Sequence, residues 1–127
     1  MKRRHRLSRS RDFDAVYRHG RSVATRYLVL YAFPREDESE GDPRLGLAVG
    51  RQLGTALERN RLKRRLRAAF DELSERVPPG RDYVLIARPG LPEAIEGRGF
   101  PWPVERVAEV FERARVAERT PAPPAAP

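Results

Sequence analysis

Ten residues, Glu58–Arg67 (ERNRLKRRLR), restrict the folds open to this chain more than any other stretch. Thr55 stands three residues ahead of Glu58, the spacing of a capping box in which each side chain satisfies the other's backbone N–H, so a helix is predicted to start there. Beyond it Leu62, Leu66, Ala69, Phe70, Leu73 and Val77 form one apolar stripe, and Pro78, Pro79 and Gly80 end the pattern. At about 100° per residue the stripe covers roughly 100° of arc, while Lys63, Arg67, Asn60 and Arg64 follow at about 100° to 200° and Arg61 and Arg65 flank the other side. Such a helix docks by one edge and shows guanidinium groups around most of its remaining surface.

Residues 59–67 hold six cations, which repel one another at i, i+3 and i+4 by a few tenths of a kcal/mol per pair. Helix stability is therefore not their purpose. A phosphate array reverses the sign, because guanidinium forks pair with phosphate oxygens, and Asn60 is suited to a base edge or a 2′-hydroxyl. The ordinary alternative, a solvated face balanced by carboxylates, has only Glu58 nearby to supply the balance.

The whole chain of 127 residues carries 26 Lys+Arg against 18 Asp+Glu, a net charge of +8. That total hides a segregation. Residues 1–35 hold +8, residues 36–43 (EDESEGDP) hold −5, residues 44–67 hold +7, and the remainder is slightly acidic. A polyanionic partner is expected on the first half. The absence of cysteine excludes disulfides, thiolate metal sites and a cysteine nucleophile. No apolar run reaches the roughly 18 to 20 residues of a membrane span, so the expected location is the cytoplasm, without membrane attachment.

The remaining elements are read from periodicity. A first helix runs from Ser10 to Gly20, with Phe13, Val16 and Tyr17 on one face. Residues 22–33 alternate strictly and predict one strand covered on both sides, with Val23, Thr25, Tyr27, Val29, Tyr31 and Phe33 sharing a face. A second strand spans about Arg44–Val49 and a third Tyr83–Ala87. Residues 89–103 read as a loop ending in a PWP turn, followed by a helix marked by Val104, Val107, Ala108 and Phe111. One domain over residues 1–119 and a disordered proline- and alanine-rich tail over 120–127 complete the organisation.

The ordered series DFDAVYRHGRSVATRYLVLY, RLGLAVGRQLG, GTALE and RNRLKRRLR resembles the protein subunits of bacterial ribonuclease P over about Arg6–Arg88. The resemblance implies an α+β fold, a single-domain two-layer sandwich whose mixed sheet contains a left-handed βαβ crossover, as in a ribosomal-protein domain. Periodicity would have indicated the opposite hand, since such crossovers are right-handed by strong default. It also implies that catalysis belongs to an RNA subunit, which removes the 5′ leader of precursor transfer RNA with magnesium bound mainly by RNA and none held by the protein alone. The implied partners are ribonuclease P RNA and precursor tRNA, not DNA. Carried over by position, Arg59, Asn60, Arg61, Lys63, Arg64 and Arg67 contact the catalytic RNA. Phe13, Tyr17, Ser22, Val29 and Tyr31 form a cleft for the leader, where unpaired bases stack on rings.

The chain departs from the family where a pair that is often basic reads Arg51-Gln52, which removes one phosphate contact. His5 and His19 lie between arginines without a triad partner, and the acids of 36–42 lack the spacing of a calcium loop, so no catalytic or metal-binding residue is assigned to the protein. Two other classes compete: a structural ribosomal protein, which needs no aromatic groove, and a helix-turn-helix DNA binder, which the long β-rich section disfavours.

Overall fold

The structure, a computed structural model, describes residues 18, 20–34, 43–78 and 80–119. The expected first helix, with Phe13 and Tyr17, lies outside the described residues apart from Arg18 and Gly20, as do residues 35–42 and the tail from 120 onward.

Apolar alternation in the described chain produces four strands, β1 (Arg21–Ala24), β2 (Leu28–Pro34), β3 (Arg44–Ala48) and β4 (Arg81–Ala87), in the order β1-β2-β4-β3. β1 pairs antiparallel with β2, β2 antiparallel with β4, and β3 parallel with β4. Three helices accompany them: α1 (Ala56–Leu73), α2 (Leu91–Ile95) and α3 (Pro101–Arg119). The sheet is mixed and the fold α+β, with α1 supplying the connection between the parallel strands β3 and β4.

The continuous strand expected over 22–33 is a hairpin. Its strands meet with Ala24 opposite Val29, and Thr25 donates its N–H to the Leu28 carbonyl at 2.8 Å. Arg26 and Tyr27 form the turn without glycine, and among the described residues no residue other than glycine has a positive φ, so this is not one of the primed turns that usually close tight hairpins. Distant groups hold it instead. Arg88 Nη1 donates to the Thr25 carbonyl at 2.6 Å, Arg113 Nη1 to the Ala24 carbonyl at 2.9 Å, and the Arg88 N–H to the Tyr27 carbonyl at 2.9 Å.

Reversal at the turn changes which residues share a face. Val23 sits opposite Leu30, on the face packed against the helices, rather than with Val29 as one unbroken strand would have placed it. Leu28, Leu30, Leu45 and Leu85 join Leu62, Leu66, Phe70, Val107 and Val110 in a single buried core between sheet and helices. Within it Phe111 lies 5.0 Å from the Tyr83 ring, edge-on, and 5.9 Å from Phe70. Burial pushes the Tyr83 phenol up to about 12, so it stays neutral and serves as packing.

Two further expectations are corrected. α1 stops at Leu73, where Ser74–Arg76 tighten into a 3₁₀ turn; Val77 is buried but outside the α-helix. Residues 89–103 are not one loop: Gly90, at φ 97°, leads into α2, whose Leu91 and Ile95 reach the core, and PWP is the first turn of α3 rather than a turn before it.

Candidate nucleic-acid interface

The start of α1 is fixed as the sequence predicts. Thr55 Oγ1 accepts the Glu58 N–H at 3.2 Å, and Glu58 Oε1 accepts the Thr55 N–H at 3.0 Å. The bond from the Thr55 backbone, followed by that from its hydroxyl, holds the Glu58 carboxyl below the usual carboxylate range, and Arg61 adds to the effect. The carboxylate at the start of the helix is thus committed to the cap.

α1 buries Leu62, Leu66, Ala69, Phe70 and Leu73, and this edge fixes where its cations point. Asn60, Arg61 and Arg64 are exposed; Arg59, Lys63, Arg65 and Arg67 are half-buried. Among the described residues no carboxylate forms an ion pair with Arg59, Arg61, Lys63, Arg64 or Arg65. The Nε of Arg59 is buried without a hydrogen-bond partner, so packing rather than pairing orients that side chain. Five cations held close together without a carboxylate ion pair among the described residues give this face a positive potential.

The residues expected in the leader cleft meet on the other face of the sheet. Ser22 lies directly opposite Tyr31 in the β1–β2 pairing, and Val29 and Tyr31 sit opposite Ile86 and Val84 of β4. Only the hairpin achieves this, because on a single strand Ser22 would face away from Tyr31. Val84 is fully buried there, with Tyr31, Phe33 and Ile86 packed against it. Phe13 and Tyr17, expected as partners of this surface, lie outside the described residues. Val84 and Ile86 lie in a continuous apolar run, so pairing register alone decides which face they occupy.

At one end of this face Asp82, only 3 % exposed, receives both Nε and Nη2 of Arg44 at 2.8 and 2.7 Å. The fork clamps the parallel pair β3–β4 where the registers coincide. The cationic helix and the Ser22–Tyr31 face are therefore separated by the sheet rather than side by side, and approach each other at the end where β3 and β4 finish and α1 begins.

No group of three His, Cys, Asp or Glu side chains among the described residues is placed to hold a metal ion. No described helix is long and apolar enough to cross a membrane.

Comparison with known proteins identifies the family and the fold. The Ribonuclease P family profile matches residues 1–98. The chain is 47% identical over 88 residues to the ribonuclease P protein component of Shouchella clausii, covering 69% of this chain and 70% of that one. The corresponding component of Halalkalibacterium halodurans is 39% identical over 114 residues, 88% of this chain and 94% of its own. Among solved structures, the RNase P protein of Thermotoga maritima superposes with a TM-score of 0.76 at 33% identity, covering 87% of this chain and 97% of that chain. That of Staphylococcus aureus gives 0.75 at 28% identity over 88% and 96%. These likenesses displace the ribosomal-protein and DNA-binding alternatives: the chain belongs to the ribonuclease P protein family, the protein component of the ribonucleoprotein that matures the 5′ ends of transfer RNA.

Proposed function

We propose that this protein binds the catalytic RNA of ribonuclease P through Arg59, Asn60, Arg61, Lys63, Arg64 and Arg67 of α1, and holds the 5′ leader of precursor tRNA against the sheet face bearing Ser22, Val29 and Tyr31, with Phe13 and Tyr17 completing the cleft. The observation that carries this reading is the set of five α1 cations lacking carboxylate partners among the described residues. An array of this kind lowers the electrostatic cost of bringing two RNAs together, because each neutralised phosphate releases condensed counterions. A single strand on the opposite face would gain about 1–3 kcal/mol for each base stacked on a ring.

In this reading the RNA subunit carries the chemistry, and magnesium is bound mainly by RNA. The protein acts in the cytoplasm on RNA substrates. Reconstitution tests the proposal. The protein alone should leave precursor tRNA intact, whereas protein, ribonuclease P RNA and magnesium together should release the leader with a lower magnesium requirement than RNA alone. Equal magnesium dependence with and without protein would reject it.

A further inference from the structure

A second cluster of arginines lies away from the α1 surface, around the β1–β2 turn. Tyr27 meets Trp102 edge-on at 5.3 Å, and three guanidinium groups lie over these rings: Arg26 at 5.2 Å from Tyr27, Arg98 at 4.8 Å and Arg106 at 5.4 Å from Trp102. Arg88 and Arg113 reach the same turn through its carbonyl oxygens.

The charge balance separates these arginines into two kinds. Arg106 faces Glu105 and Glu109 at 3.6 and 3.7 Å and is compensated. Arg26, Arg88, Arg98 and Arg113 are exposed and have no ion pair among the described residues. Stapling a turn requires hydrogen bonds, and one N–H from each of Arg88 and Arg113 provides them, but it does not require four uncompensated charges in one place. A guanidinium has five N–H donors, so these groups keep most of theirs available. Phe100, two residues from both Arg98 and Trp102 in the chain, is 45% exposed, the only exposed aromatic ring among the described residues. Trp102 is already engaged by Tyr27 and two arginines, so it orients Arg98, and Phe100 is the ring left to receive a ligand.

We infer that Arg26, Arg88, Arg98 and Arg113 with Phe100 form a second RNA-binding surface, gripping the phosphates of a strand and stacking one unpaired base on Phe100. The inference rests on the RNA-binding role proposed for α1 and extends it to another part of the molecule. The two surfaces share one end of the sheet. β3 ends at Ala48 just before the chain enters α1, β4 ends at Ala87 opposite Leu28, and the hairpin turn follows directly. Two strand spacings, about 10 Å, separate β3 from β2, so one RNA can span both. Much of the cluster lies at or beyond the end of the family match at residue 98.

The test measures affinity of the full chain for ribonuclease P RNA across a salt series, comparing the parent with Arg26→Gln/Arg98→Gln, Arg98→Lys and Arg61→Ala/Arg64→Ala. The Arg26→Gln/Arg98→Gln variant should lower the salt exponent by about 1.4 to 1.8, at about 0.7–0.9 per lost phosphate contact, and Arg98→Lys should keep its share. A parallel series with precursor tRNA added to the assembled holoenzyme shows which RNA supplies the strand. An unchanged exponent in a variant that melts like the parent overturns the inference. If Arg61→Ala/Arg64→Ala lowers the exponent in the same series, the role of α1 survives that failure. A benzophenone side chain at position 100 decides the matter independently of folding: a cross-link to RNA is expected, and cross-linking to protein alone, or none, overturns it.

Discussion

α1 and α3 are nearly equal in length, pack against each other and the same sheet face, and differ in how they treat charge. On α3 opposite charges alternate and meet, as in Arg106 with Glu105 and Glu109 and in Arg115 with Glu112 at 2.7 Å. On α1 the cations crowd together in its first half, and the acid that begins the helix, Glu58, is bound to the cap. Paired charges describe a helix whose outer face answers to water. Segregated ones describe a helix that is electrostatically strained by itself and relieved by a polyanion. The contrast is the ground on which binding is proposed for α1, while α3 keeps most of its charges paired.

Because both helices share the core, the largest effect should come from breaking what they have in common. Phe70 is fully buried against Phe111, and Phe70→Ala should cost about 3–5 kcal/mol in urea unfolding through lost burial and a residual cavity. A loss under 1 kcal/mol would mean that the helices are not mutually supported. Next, Arg61→Ala/Arg64→Ala should weaken affinity for ribonuclease P RNA by about ten- to thirtyfold at physiological salt, with stability unchanged or slightly raised. Arg115→Ala on α3 should change neither quantity measurably, its ion pair being exposed. Similar loss of RNA affinity in both variants would erase the distinction between the helices.

A smaller effect should follow from the cap. Thr55→Ala removes the acceptor for the Glu58 N–H and should cost about 1 kcal/mol. The carboxyl of Glu58 is held below its usual range in the folded protein, so its contribution is present above the unfolded value and is lost as pH falls through the folded one. Glu58→Gln should flatten that acidic limb of the stability profile. An identical limb in parent and variant would remove Glu58 from the linkage.

Much of α1 was legible without coordinates. Its cap residue, apolar stripe and cationic arc depend on spacing within one helix, and each appears where the spacing indicated. The strand at 44–48 and the buried strand ending at Ala87 were legible for the same reason. The hairpin was not. Its turn, Thr25-Arg26-Tyr27, contains none of the residues that usually mark a reversal, and the surrounding alternation continues smoothly through it. Short α2 was hidden similarly, because a five-residue helix offers too little periodicity to separate it from a loop.

The sequence by itself determined a capped helix with one greasy edge and an unbalanced cationic surface, since those properties arise from residues within a few positions of one another. The tertiary structure decided where the chain reverses between β1 and β2, and therefore that Ser22 stands beside Tyr31 and that Tyr27 meets Trp102. Those outcomes depend on Arg88 and Arg113, 63 and 89 positions further along the chain, donating to the turn's carbonyls. A hydrogen bond between residues so far apart leaves no periodic trace in the sequence, because its geometry exists only once the sheet and α3 have come together.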